Sequence, residues 1–92
     1  MIRGFRDKET GAVFRRERSK RFHNIARVAQ RKLDMVNDAA KFTDLAAFPN
    51  NKLEALKKDR AGQHAIRIND QWRVCFVWKD GNAEQVEIVD YH

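Results

Sequence analysis

The chain has 92 residues, of which 42% are hydrophobic and 35% charged, enough for one compact domain and too few for a second core. Its single cysteine, Cys75, excludes an intramolecular disulfide and therefore a disulfide-stapled secreted fold. The first residues are charged, and no apolar run has the length of a membrane span. We expect one domain over residues 1–92, located in the cytoplasm and not associated with a membrane.

The chain as a whole carries a formal net charge of +6, and its positive charge is concentrated in the first third. Residues 1–32 contain eleven basic and three acidic side chains, whereas residues 33–92 contain eight basic and ten acidic ones. Such a one-sided distribution favours a polyanionic partner, either a nucleic acid or an anionic protein surface. A solvated helix face would carry the same charges, and that alternative stays open.

The N-terminal half predicts one short strand and one firm helix. Residues 1–6 suggest an edge strand, and residues 9–22 are compatible with a short helix or a basic loop, because Gly11 weakens a helix. Residues 24–40 predict an amphipathic helix, with a further turn at 44–48 before Pro49. The apolar stripe of the helix is Ile25, Ala29, Leu33, Val36 and Ala40.

After Pro49 the apolar period changes to two, which predicts strands. Asp80-Gly81 is a strong signal for a tight hairpin between the last two of them. Because the connections are short, neighbouring strands must be antiparallel. The fold class is therefore α+β, with N-terminal helices packed on one face of a small antiparallel β-sheet. The predicted strands are 51–58, 64–69, 72–78 and 83–91.

The segment "WRVCFVW" (72–78) alternates strictly and divides into two faces. Trp72, Val74, Phe76 and Trp78 form the predicted core face. The other face, without helices, carries Arg73, Cys75, Val77 and Lys79. An arginine held on a strand presents a planar guanidinium in a fixed position, which suits recognition of a phosphate. The alternative is a cross-strand salt bridge to Glu84 or Glu87.

Several types of active site are absent from the sequence. His23, His64 and His92 lack the spacing of metal ligands, and the four glycines form no phosphate-binding loop. We expect neither a metal nor a cofactor. Metal-free cleavage of RNA needs only cationic side chains and a proton-transferring group, because the substrate supplies its own 2′-hydroxyl nucleophile. The residue types present are compatible with metal-free RNA cleavage, but they do not by themselves favour it over other reactions.

Two stretches taken together resemble a known family. They are "LKKDRAGQHAIRINDQWRVCF" (56–76) and the terminal "EIVDYH" (87–92). Their order and spacing are similar to those of HigB toxins, the plasmid-maintenance killer proteins of the RelE/ParE superfamily, and the resemblance covers essentially the whole chain. It implies a RelE-like fold and an endoribonuclease that cuts messenger RNA in the A site of the 70S ribosome. It also implies neutralisation by a helix-turn-helix antitoxin of the HigA type.

The resemblance carries site residues over by position. It implies that Lys57 and Arg73 contact the scissile phosphate, and that the terminal triplet handles protons and orients the substrate. Glu54 stands where similar members have a second active-site histidine, which argues against a two-histidine mechanism. The terminal triplet is Asp90, Tyr91 and His92.

Basic side chains outside this set are expected to contact ribosomal or messenger RNA, on the basis of charge more than of motif. Two functions of another class remain open: a non-catalytic inhibitor of the ParE type that binds a target such as DNA gyrase, and a plain RNA-binding module. The expected RNA-contacting residues are Arg15, Arg16, Arg18, Lys20, Arg21, Arg60 and Arg67.

Overall fold

The computed structural model describes residues 1–91. Two α-helices precede a four-stranded sheet, and short 3₁₀ turns connect them. The helices are α1 (Lys8–Phe14) and α2 (Ala26–Asp38), and the 3₁₀ turns are Phe42–Ala47, Pro49–Asn51 and Lys58–Arg60. The strands are β1 (Glu54–Ala55), β2 (His64–Arg67), β3 (Trp72–Lys79) and β4 (Asn82–Asp90).

Both helices form where local chemistry favours them. Asp7 caps α1, because its Oδ1 accepts a hydrogen bond of 2.7 Å from the amide of Thr10. Gly11 does not break α1: it is buried, and a Cβ there would lie 3.3 Å from the ring of Phe5. The predicted apolar stripe is confirmed at its centre but not at Ala40, which lies beyond the end of α2 and is exposed. Its buried members are Ala29, Leu33 and Val36.

The sheet is an antiparallel meander in the order β1-β2-β3-β4, as predicted. Asp80 and Gly81 both adopt positive φ, 52° and 78°, which is the geometry of a tight two-residue hairpin. The prediction of a strand over 51–58 is wrong for most of that segment. Lys52 and Lys58 take left-handed conformations and 3₁₀ turns flank them, so only Glu54–Ala55 pairs as a strand.

The N-terminal segment extends the sheet in a limited way. Ile2 and Phe5 make isolated parallel bridges to Ala83 and Val86 of β4. Four backbone hydrogen bonds of 2.8–3.1 Å accompany these bridges. The predicted edge strand over 1–6 therefore lies at the expected sheet edge, but as two bridges and not as a continuous strand.

The hydrophobic core lies between the helices and one face of the sheet, which we call the core face. Val74, Phe76 and Ile88 point into it and pack against residues of α1 and α2, including Val13 and Leu33. The predicted α+β architecture is confirmed. Within residues 1–91, no helix is both long and apolar enough to span a membrane.

Candidate active site on the open face of the sheet

The second face of the sheet, here called the open face, carries polar and charged side chains. Strand alternation and register place Arg73 and Cys75 of β3 on it, beside Val89 and Glu87 of β4. On the other side of β3, the register brings Ala65 beside Cys75 and Glu54 beside Ala65. Glu54, Cys75 and Glu87 therefore lie in one row across the four strands.

The end of β4 brings Tyr91 onto Arg73. The amide of Tyr91 donates a hydrogen bond of 2.7 Å to the carbonyl of Gln71. The pairing of β4 with β3 therefore continues one residue beyond the strand. The guanidinium carbon of Arg73 lies 4.8 Å from the centroid of the Tyr91 ring, a cation–π contact. Two of the predicted site residues are thus in direct contact.

Glu54 belongs to the same cluster. The pKa of Tyr91 is raised, first by the side-chain hydrogen bond with Glu54 and then by the charge of that carboxylate, while the charge of Arg73 acts in the opposite direction. The sequence singled out Glu54 only as a departure from a family pattern. Glu54 lies on the edge strand β1, and the structure brings its carboxylate to the phenol of Tyr91, which follows β4.

The expected alternative for Arg73 is not found. Its Nη1 donates to the backbone carbonyls of Asn69 and Trp72. Glu87 instead accepts a hydrogen bond of 2.8 Å from Nη1 of Arg60, and Nε of Arg6 lies 3.8 Å from the same oxygen. Because carbonyl oxygens hold the guanidinium without neutralising it, Arg73 keeps its positive charge for an anionic ligand.

Cys75 lies beneath this cluster with no exposed surface. Burial raises the pKa of its thiol to about 11, and the charge of Arg60 opposes that rise. A thiol of this kind is not a nucleophile near neutral pH. Cys75 therefore forms part of the floor under the charged side chains.

Arg60, predicted as an RNA contact, is held in place. Its Nη1 also donates a hydrogen bond of 3.0 Å to Oε1 of Gln63, and its side chain is 36% exposed. The hydrogen bond with Glu87 raises the pKa of Arg60. Arg60 is therefore a fixed cation at the margin of the cluster, with its charge already compensated by Glu87.

Asp90 and Lys57 are two further predicted catalytic residues, and the structure describes their surroundings. Asp90 is the cross-strand partner of Trp72, so the register turns it away from Arg73, and its Oδ2 accepts a hydrogen bond of 3.2 Å from Nε2 of Gln71. Lys57 is exposed before the 3₁₀ turn 58–60 and makes no side-chain hydrogen bond or ion pair with another of residues 1–91. His92 lies outside the described residues.

The predicted RNA-contacting residues of the N-terminal third, which we call the basic segment (15–21), differ in how far their charges are paired. Arg16 forms a bidentate pair with Asp34, at 2.6 and 3.0 Å, and Arg15 binds Glu17 at 3.1 and 3.2 Å. The guanidinium of Arg21 lies 4.9 Å from the centroid of the Phe22 ring.

The other two members of the basic segment keep their charges available. Arg18 and Lys20 are exposed, and neither pairs with any side chain of residues 1–91. Arg67, predicted with this group, lies instead at the end of β2 and pairs with Asp70. No group of three or more His, Cys, Asp or Glu side chains in residues 1–91 is arranged to hold a metal ion.

Comparisons with known proteins agree with this architecture. The family model described as "RelE-like toxin of type II toxin-antitoxin system HigB" matches residues 3–92. Toxin HigB-1 of Vibrio cholerae serotype O1 is 40% identical over 53 residues, which cover 58% of this chain and 56% of that protein. An uncharacterized protein of Haemophilus influenzae is 36% identical over 61 residues, covering 66% and 58% of the two chains. The matches thus span little more than half of each relative's length.

A solved structure shares the fold. The chain superposes on a chain of the YoeB–YefM complex from Staphylococcus aureus with a TM-score of 0.60 and 16% identity, covering 100% of this chain and 98% of the other. That likeness concerns the fold alone. The match over residues 3–92 concerns the sequence itself, and it shows that the chain belongs to the HigB family, the RelE-like toxins of type II toxin–antitoxin systems.

Proposed function

We propose that this toxin is a ribosome-dependent endoribonuclease that cleaves messenger RNA in the ribosomal A site without a metal ion. The observation that carries the proposal is the cluster on the open face. There a guanidinium, a phenol and a carboxylate, those of Arg73, Tyr91 and Glu54, lie together over the buried Cys75. Such a set holds a cation for a phosphate and groups that can exchange a proton.

In the proposed reaction the ribose 2′-hydroxyl loses its proton, and its oxygen attacks the adjacent phosphorus. The bond to the 5′-oxygen breaks, and that oxygen takes up a proton. Arg73 stabilises the additional negative charge on the phosphoryl oxygens. Glu54 is the proposed proton acceptor, because a carboxylate can take the proton of the 2′-hydroxyl and this carboxylate is hydrogen-bonded to Tyr91, which in turn contacts Arg73.

His92 is proposed as the proton donor to the leaving oxygen, on sequence grounds alone, since an imidazole exchanges protons near neutral pH. Lys57 is proposed to meet the RNA backbone when the ribosome-bound message is present. The proposed partner that neutralises the toxin is a helix-turn-helix antitoxin of the HigA type. Membership of a toxin–antitoxin family and the fold shared with a chain of the YoeB–YefM complex support an antitoxin.

The test is a reconstituted translation reaction with a defined message, in which breaks are mapped with and without ribosomes. We expect cuts within the reading frame only when ribosomes are translating. An intact message under full translational arrest would contradict the nuclease and favour an inhibitor that binds another target, such as DNA gyrase.

The role of Glu54 has its own test. Glu54→Gln keeps the shape of the side chain and removes the proton acceptor, so we expect cleavage to slow by about 10²-fold or more. Glu54→His supplies a base again and should recover part of that loss, with a shifted dependence of rate on pH. Equal rates for the Gln variant and the wild-type toxin would remove Glu54 from the mechanism.

A further inference from the structure

The turn between β2 and β3 carries an exposed carboxylate at its tip. Asn69 builds the turn: its Oδ1 accepts hydrogen bonds from the amides of Gln71 and Trp72, at 2.9 and 2.8 Å. The amide of Ile68 donates a further bond of 2.9 Å to the carbonyl of Trp72. Asp70 stands at the tip, and its side chain is 99% exposed. Asp70 makes none of these three hydrogen bonds.

Two arginines face each other beside this turn. Arg67 and Arg73 are direct cross-strand partners in the β2–β3 register, so their side chains leave the sheet on the same face. Like charges in that position repel each other. The carbonyl of Asn69 accepts a hydrogen bond from Arg73 but does not cancel its charge. This end of the open face thus carries two arginines at directly opposite positions of neighbouring strands.

Asp70 supplies the counter-charge. Nη2 of Arg67 donates a hydrogen bond to Oδ1 of Asp70. That bond and the charge of Arg67 lower the pKa of Asp70, and the charges of Lys52 and Arg73 add smaller effects in the same direction. One exposed carboxylate therefore stands within the combined field of three cations. Of these, Arg67 is the only one that it hydrogen-bonds among residues 1–91.

We propose that Arg67, together with Arg73 at the boundary to the cleaved phosphate, forms a binding site for the next backbone phosphate of single-stranded RNA, and that Asp70 occupies this site in the free protein. A phosphate offers guanidinium groups a negative charge and several acceptor oxygens, so it satisfies them better than one carboxylate does. An ion pair with a fully exposed carboxylate is weak, so RNA displaces it at little cost. The proposal rests on the proposed function, because RNA is the ligand.

The test measures RNA binding by the free protein, and not cleavage on ribosomes. A fluorescein-labelled RNA oligonucleotide with every 2′-hydroxyl methylated cannot be cut, and its anisotropy reports binding at low salt. We expect Asp70→Asn to tighten binding by about two- to fivefold, the range that loss of one exposed competing ion pair allows. The gain should disappear at high salt, where exposed charges are screened.

Asp80→Asn is the matched control. It removes the same charge from the β3–β4 turn, where asparagine also accepts the left-handed conformation. This variant should bind RNA like the wild-type protein, or tighten by clearly less than Asp70→Asn. If both variants tighten binding equally, the effect is one of net charge and the proposal is wrong.

Arg67 provides the second half of the test. Arg67→Gln should weaken binding, and adding Asp70→Asn to it should change nothing further, because the carboxylate then has no site to block. Arg67→Lys, which keeps the charge, should recover part of the binding. A full gain from Asp70→Asn in the absence of Arg67 would overturn the proposal, as would no RNA binding by any of these proteins at low salt.

The proposed function and this inference fail separately. A message that stays intact on ribosomes would contradict the nuclease while the anisotropy series still reported the phosphate site. A normal pattern of message cleavage with identical RNA affinities for all variants would contradict the phosphate site alone.

Discussion

The two faces of the sheet use alternate residues of the same strand for different purposes. On the core face, Val74 and Phe76 have no exposed surface and pack against the helices. On the open face, Arg73 keeps its charge and contacts Tyr91, while Cys75 beside it is buried under charged groups. Apolar burial on the core face thus drives folding, whereas the charged groups of the open face contribute less to stability. Substitutions on the two faces should therefore separate stability from activity.

The largest effect is expected on the core face. Phe76→Ala removes a fully buried ring and leaves a cavity, which costs about 3–5 kcal/mol. Because a domain of this kind has a free energy of unfolding of about 5–15 kcal/mol, the variant should be largely destabilised. Urea denaturation followed by circular dichroism measures this loss. A variant as stable as the wild-type protein would show that the core is not where the structure places it.

Arg73→Ala should have the opposite signature. Loss of the cation that is proposed to face the scissile phosphate is expected to slow message cleavage by about 10²-fold or more. The same change removes hydrogen bonds to two backbone carbonyls, so the free energy of unfolding should fall by only about 1 kcal/mol.

The control for Arg73→Ala lies at the other end of the same strand. Lys79→Ala removes one positive charge from an exposed position of β3 and should leave cleavage unchanged. The measurements are break mapping on translating ribosomes and urea denaturation of each variant. Equal cleavage by the two variants would remove Arg73 from the active site.

The pH dependence of the free energy of unfolding tests whether Cys75 is buried under the open face. Burial raises its pKa from the ordinary 9.0 to about 11, so between these values the folded protein keeps a proton that the unfolded chain has lost. The resulting stability is present below about pH 9 and is lost as pH rises towards about 11, a fall of about 2–3 kcal/mol.

Urea denaturation at several pH values, with Cys75→Ala as the control, isolates this contribution. The variant should lose less stability over the same pH interval, although Tyr91, whose pKa is also raised, titrates in both proteins. The folded wild-type protein should also react slowly with a thiol reagent near neutral pH. An identical pH dependence in both proteins would show that Cys75 is not shielded by the cluster.

The two faces also differ in how far the sequence predicts them. The core face follows from strict alternation at Val74 and Phe76, and the helix that covers it follows from a local apolar stripe, so both were predicted correctly. The contact of Tyr91 with Glu54 has no local signal, because it depends on the register of four strands. The two-residue length of β1 was missed because left-handed Lys52 and Lys58 are unusual for lysine.

The terminal triplet illustrates the same limit. Strand alternation places Asp90 and Tyr91 on opposite faces of the sheet as long as the strand continues through Asp90. In the structure β4 includes Asp90, so Tyr91 meets Arg73 and Asp90 meets Gln71. The roles carried over from the family resemblance remain predictions for all five residues, Lys57, Arg73, Asp90, Tyr91 and His92.

The smallest effects are expected outside the sheet, in the basic segment (15–21), where paired and unpaired charges can be compared directly. Arg18 is exposed and makes no ion pair with residues 1–91, whereas Arg16 is paired with Asp34, whose hydrogen bond raises the pKa of Arg16. If this segment docks on ribosomal RNA, each cation bound to a phosphate steepens the salt dependence of binding. Arg18→Gln should therefore reduce the slope of log affinity against log salt by about one.

Arg16→Gln should reduce that slope by less, because binding a phosphate would first require Arg16 to leave Asp34. Both variants remove one charge from neighbouring exposed positions, so net charge cannot explain a difference between them. Ribosome co-sedimentation at a series of salt concentrations gives the two slopes. Equal slopes would mean that Asp34 gives up Arg16 freely on the ribosome, and a flat response of the wild-type toxin would rule out docking through this segment.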